Sequence, residues 1–188
     1  RLEEMVIAPF NEPDIVAAIL DRHRGEIAAI IVEPVQFNIG VVPPRPGFLE
    51  RLRELATEHG IVLIFDEVKT GVVIAYGGAT EYFGVQPDLF CLAKSIGGGT
   101  PIGAFGGREE VMSVLPDKVS HGGTYAGNRV AAAAAVKTLE ILRDTDALEV
   151  VHEVGVLAAG GQVVVDDDPS DDRVGEACPA PHHAGKEG

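Results

Sequence analysis

Residues 26–68 read EIAAIIVEPVQFNIGVVPPRPGFLERLRELATEHGIVLIFDEV. Ile27 to Val32 is short, rich in β-branched residues and apolar on both faces, the pattern of a strand buried inside a parallel sheet. Pro and Gly crowd the stretch from Pro34 to Pro46. Phe48, Leu49, Leu52, Leu55 and Ala56 then share one apolar face at helical spacing, and Gly60 stands where such a helix would stop. Ile61 to Phe65 is a second continuous apolar run. Strand, helix and strand make a βαβ unit whose crossover is expected to be right-handed. Asp66 therefore falls at the carboxyl end of a central strand. Open α/β sheets bind ligands in the crevice beyond those ends, so a polar residue there is a site candidate.

Working outward, a helix is expected just upstream, with Asn11 as its cap, Pro13 in its first turn, Ile15, Val16, Ile19 and Leu20 at helical spacing, and Gly25 at its end. Downstream, Gly71 to Gly84 reads as a Gly-containing loop. Asp88 to Ala93 (DLFCLA) reads as another buried strand, which delivers Lys94 to an edge position comparable to that of Asp66. The Gly-rich SIGGGTPIGAFGG follows, and then two helices, Glu109 to Leu115 and the alanine-rich Gly127 to Leu142. The expected fold is α/β, a mainly parallel sheet flanked by helices. From about Ala158 the chain loses helical or strand period and carries seven acidic against two basic side chains, so 158–188 is expected to be a disordered acidic tail on a domain spanning 1–157.

The whole chain has 188 residues, 46% hydrophobic and 23% charged, within the range of soluble globular domains. Its net charge of −14 disfavours a polyanion, so no nucleic-acid partner is expected. The longest apolar runs fall far short of the ~20 residues that span a bilayer, and the opening RLEEMVIAPF lacks a signal-peptide pattern. A cytoplasmic protein without a membrane partner is expected. Cys91 and Cys178 make neither a disulfide framework nor a metal spacing and read as plain thiols. His23, His59, His121 and His152 have no HxxxH or cysteine partnering, so no metal site is expected. The chain begins at Arg1 rather than Met, which reads as a fragment.

Three groups of residues could carry chemistry. A buried lysine can have its proton affinity lowered until its amine attacks a carbonyl, and a neighbouring aspartate can hold a proton on a pyridine nitrogen, so Lys94 and Asp66 together suit pyridoxal-phosphate chemistry. The same two residues equally suit a turn-capping aspartate and a lysine trailing its ammonium into solvent. The glycine run could cradle a phosphate, but Gly97, Gly99 and Ile102 miss the third glycine of a dinucleotide fingerprint, and Ala104 follows Gly103 where a P-loop needs lysine. A tight loop for close chain packing fits it better. In HGGTYAGN, Thr124 offers a hydroxyl and an amide ahead of a helix, suited to a phosphate, while Thr124 or Asn128 could simply cap that helix.

Taken together, EPVQFNIGVVPPRPGFLERLRELATEHGIVLIFDEVKTG, GGATEYFGVQPDLFCLAKSIGGGTPIGAFGG and HGGTYAGN resemble the class III pyridoxal-phosphate-dependent aminotransferases, over about residues 26–142. The resemblance implies the later half of the large domain of a fold type I enzyme, with pyridoxal 5'-phosphate as cofactor. It implies that Asp66 pairs with the cofactor's pyridine nitrogen, that Val68 packs on its ring, and that Lys94 is the Schiff-base lysine. Thr124, beside Gly123, matches the threonine that reaches the cofactor phosphate of the neighbouring subunit, so a homodimer is implied. Asn38 in EPVxxN matches the aminomutase branch, where other members carry a glutamate, and is thereby a substrate-binding candidate. The implied reaction is transfer of an amino group on a small amino acid or amino-aldehyde, between C1 and C2 of glutamate 1-semialdehyde. The alternatives are transfer from another amino acid or amine to a keto acid, and a non-catalytic remnant. TGVVIAYGG departs from the family's TGFR, and Arg129 stands where the family favours proline. The family's Gly-Ser/Thr phosphate loop and stacking aromatic precede the matched region and are not in this chain, so the chain by itself is expected to be inactive.

Overall fold

A computed structural model describes residues 4–115, 122–124 and 126–158, side chains excepted at 156–158. They fall into two units, one ending at Thr145 and one beginning at Asp146. The described part of the second is a helix, Ala147–Ala158, along which Val150, Val151 and Val154 are exposed. The expected tail lies outside the described residues beyond Ala158.

In the first unit, helix α1 (Pro13–Arg22) precedes strand β1 (Ala29–Val32), helix α2 (Phe48–His59) and strand β2 (Val62–Asp66). Helix α3 (Gly78–Phe83) and strand β3 (Leu89–Ala93) follow, then a 3-10 turn, Lys94–Gly97, and strand β4 (Gly103–Gly107). Helices α4 (Glu109–Met112) and α5 (Arg129–Asp144) complete it. The sheet order is β1-β2-β3-β4, parallel across the first two pairs and antiparallel at β3/β4.

The βαβ reading holds. Val16 and Leu20 of α1 and Phe48, Leu49, Leu52, Leu55 and Ala56 of α2 pack on Leu63 and Phe65 of β2, with Ile30, Val32 and Phe90 at the margin. Helix α2 stops at Gly60, whose φ of +65° is open to glycine at little cost.

Four expectations are corrected. Strand β1 is not buried on both faces: alternate residues are exposed, Ile31 by 66%, because α1 and α2 cover one face alone. Asn11 does not cap α1, which starts after Glu12; its side chain instead accepts from the Arg45 amide at 2.8 Å and donates to the Pro43 carbonyl at 3.0 Å, pinning the loop that follows β1. The Gly71–Gly84 loop contains α3, because the buried Glu67 carboxylate accepts from the Ala79 and Thr80 amides and so satisfies the first donors of that helix. The Gly-rich stretch contains β4, in which Gly106 and Gly107 are required by contact. A Cβ at Gly106 would lie 2.9 Å from the Phe90 ring, and one at Gly107 2.1 Å from the Asp88 carbonyl.

Candidate functional site

Register assigns the side chains to faces. Asp66 is the Cα partner of Cys91, so both point to the face opposite Leu63 and Phe65. Beyond Asp66 the chain turns at once: its Oδ1 accepts from the Val68 amide at 3.1 Å, which sets the carboxylate and positions Val68. The turn-capping role is thus real. Burial raises the Cys91 thiol's proton affinity, and the adjacent Asp66 charge raises it further, so the thiol stays protonated beside the carboxylate.

Lys94 lies three residues beyond Cys91, roughly 10 Å further along the strand direction. It is exposed, and its φ of +50° puts a side-chain-bearing residue in the left-handed region. Such backbone costs of order 1 kcal/mol or more and persists where the surroundings fix it. Here the fixing elements are the 3-10 turn and α5: Ile96 and Gly97 are buried, and a Cβ at Gly98 would stand 2.5 Å from the Thr138 hydroxyl on α5.

Helix α5 is capped by Asn128, whose side-chain oxygen accepts from the Val130 and Ala131 amides at 3.0 Å. Of the two cap candidates the structure selects Asn128. Gly123 and Thr124 precede it, both exposed, and the Ala126 amide donates to the Gly123 carbonyl at 2.9 Å. His121 lies outside the described residues.

Asn38 sits in the loop after β1, closed by paired hydrogen bonds between Gln36 and Val42 at 2.9 and 3.0 Å. Its side-chain oxygen accepts from the Lys69 ammonium, which also lies 5.9 Å from the Phe37 ring centroid. The sequence reading missed Lys69, Glu67 and Asp88. The Asp88 carboxylate takes Arg53 at 2.7 Å, Arg108 at 3.2 Å and the Leu63 amide at 2.8 Å, tying α2 and β2 to the start of α4. Burial alone would raise its pKa; the hydrogen bonds from Leu63 and Arg53 outweigh that and lower it.

Asp66, Val68 and Lys94 thus stand at the carboxyl ends of neighbouring parallel strands, with Asn38 on the loop beyond the next. An open pocket of about 410 Å³, lined by Tyr76, Thr80, Phe90, Leu92 and Arg108, includes none of them. Phe90 and Leu92 alternate with Cys91, so that pocket faces away from Asp66. Among the described residues no cluster of three metal-ligating side chains occurs, and no helix is long and apolar enough to cross a membrane.

A mainly parallel α/β sheet with an amine and a carboxylate at its carboxyl edge defines the architectural class. Residues 8–161 match the family model for class-III aminotransferases, and the chain belongs to that family. Over 156 residues it is 47% identical to the glutamate-1-semialdehyde 2,1-aminomutase of Citrifermentans bemidjiense, 82% of this chain and 36% of that protein. An omega-transaminase from Sphaerobacter thermophilus superposes with a TM-score of 0.71 at 42% identity, covering 75% of this chain and 33% of that one. A transaminase with PLP bound gives 0.76 at 36% identity, with 82% and 37% covered. The chain spans about a third of the length of the curated relatives it matches. The family is one of pyridoxal-phosphate-dependent enzymes, and the expected fold class, a mainly parallel sheet flanked by helices, is the one observed.

Proposed function

We propose that the chain forms part of a pyridoxal-phosphate-dependent aminomutase that moves an amino group between C1 and C2 of glutamate 1-semialdehyde. The observation that carries this reading is the placement of Asp66 and Lys94 at the ends of adjacent parallel strands on the carboxyl side, Lys94 in strained backbone. The residues fit the cofactor: a half-buried carboxylate with one oxygen held by Val68 suits a protonated ring nitrogen, and an exposed primary amine suits an aldehyde. Bound there, pyridoxal phosphate supplies the electron sink for breaking a bond at the amine-bearing carbon. Asp66 holds the ring-nitrogen proton, Val68 packs against the ring, Lys94 attaches the cofactor and carries the proton between the two carbons, and Gly123 and Thr124 meet the phosphate of a second subunit. Asn38 faces the substrate. The protein acts in the cytoplasm as a homodimer, and activity requires the segments that the longer relatives carry. Residues 158–188 form an acidic tail that is disordered or foreign to the family.

The test uses a whole enzyme, with residues 8–161 grafted in place of the matched third of the Citrifermentans bemidjiense aminomutase. Borohydride reduction with cofactor is expected to leave a pyridoxyl label on the peptide containing Lys94, and Lys94→Ala to abolish it. The graft is expected to convert glutamate 1-semialdehyde to 5-aminolevulinate with no added amino donor. Labelling elsewhere overturns the assignment of Lys94; a requirement for a donor and a keto acid moves the reading to an ordinary aminotransferase.

A further inference from the structure

Charge balance singles out one side chain at the carboxyl edge that the reading above leaves without a task. On the surface Arg24, Arg45, Arg51 and Arg143 each lie within 4 Å of a carboxylate, and Arg53 and Arg108 share Asp88. Lys69 and Lys94 have no carboxylate partner among the described residues, nor do Arg22 and Arg129, which sit on helices. In a chain of net charge −14, two ammonium groups without a carboxylate within 4 Å at the same edge of the sheet stand out. Lys94 is accounted for by the cofactor. Lys69 is not.

The partners of its ammonium are neutral: the Asn38 side-chain oxygen and the face of Phe37. Both hold the ammonium in place without cancelling its charge. An ammonium has three donors, so a single bond to Asn38 leaves two. Lys69 is half-exposed and three residues past Asp66, the last residue of β2, so it stands at the same carboxyl edge.

We propose that Lys69, steadied by Asn38 and Phe37, binds the carboxylate of the amino substrate and sets the preference for acidic over uncharged amines. This rests on the function proposed above. A charge-assisted hydrogen bond of about 1.5–3 kcal/mol corresponds to roughly ten- to a hundredfold in affinity.

The test again uses the grafted enzyme, loaded with cofactor and mixed with 4-aminobutanoate or with butylamine, the same amine with and without a carboxylate. Single-turnover loss of the cofactor's visible band gives a half-saturation concentration and a limiting rate for each. K69M is expected to raise half-saturation for 4-aminobutanoate about tenfold or more, leave butylamine unchanged, and keep both limiting rates within about twofold. K69R is expected to retain the preference. Equal effects on both amines, or no effect, overturn the proposal. So does a shift of the resting band without a change in preference, since the cation would then serve the cofactor. Should K69M fail to fold, judged by its urea midpoint, K69Q carries the same comparison. A parent graft with no Lys94-dependent band before any amine is added fails at the earlier step and overturns the proposed function as well.

Discussion

On one face of the sheet Leu63 and Phe65 are fully buried under α1 and α2; on the other Ile31 is 66% and Phe105 52% exposed. The same strands supply both. The packed face is complete within the first unit, whereas the open face carries Asp66 and leads to Lys94. The core packing and the chemistry proposed for Asp66 therefore fall on opposite sides of the sheet. The residues that fold the chain are not those that would act.

The largest effects should come from the packed face. Phe65→Ala is expected to cost about 3–5 kcal/mol in urea denaturation, while Ile31→Ala, one strand away on the open face, should stay within about 0.5 kcal/mol. Equal losses would erase the distinction between the faces. Next comes Asp88→Asn, expected to cost about 1–3 kcal/mol at pH 7 by weakening the hold on Arg53, Arg108 and the Leu63 amide. The folded pKa of Asp88 lies below its ordinary value of 3.8, so its stabilisation is full above that pH and is lost as pH falls through the folded value. An acid-denaturation series should show the difference between the two proteins shrinking below about pH 4; a constant difference would mean the charge contributes nothing. The smallest is Asn128→Ala, about 1 kcal/mol from an unsatisfied start to α5, read as a lower midpoint with an unchanged slope.

The sequence made β2, α2 and β3 legible because each is specified locally: a continuous apolar run or a stripe at helical spacing closed by glycine. It also placed Asp66 and Lys94 at strand ends. It did not show that β1 is half exposed, since an apolar run says nothing about which side a partner will cover. Strand β4 was hidden because GAFGG has little strand propensity; its glycines answer to Phe90 and Asp88, far earlier in the chain. Helix α3 depends on a carboxylate twelve residues upstream of Ala79, and Asn11 on a loop more than thirty residues away. Lys69 meets Asn38 across 31 positions, a distance no periodicity spans.

Asp66 and Glu67 are adjacent acids of nearly the same chemistry with opposite assignments. The ladder decides it: Asp66 pairs with Cys91, and the Glu67 amide donates to the Cys91 carbonyl at 3.0 Å, so the first carboxylate faces the open side while the second, 3% exposed, is consumed in starting α3. A strand has a parity of two, and a one-residue slip exchanges its faces. Deleting a single residue between Val62 and Phe65 would leave composition, charge and hydropathy almost unchanged, yet would exchange the places of the acid proposed to meet the cofactor and the anchoring one. Parity, rather than the identity of either carboxylate, is what this stretch of chain conserves physically.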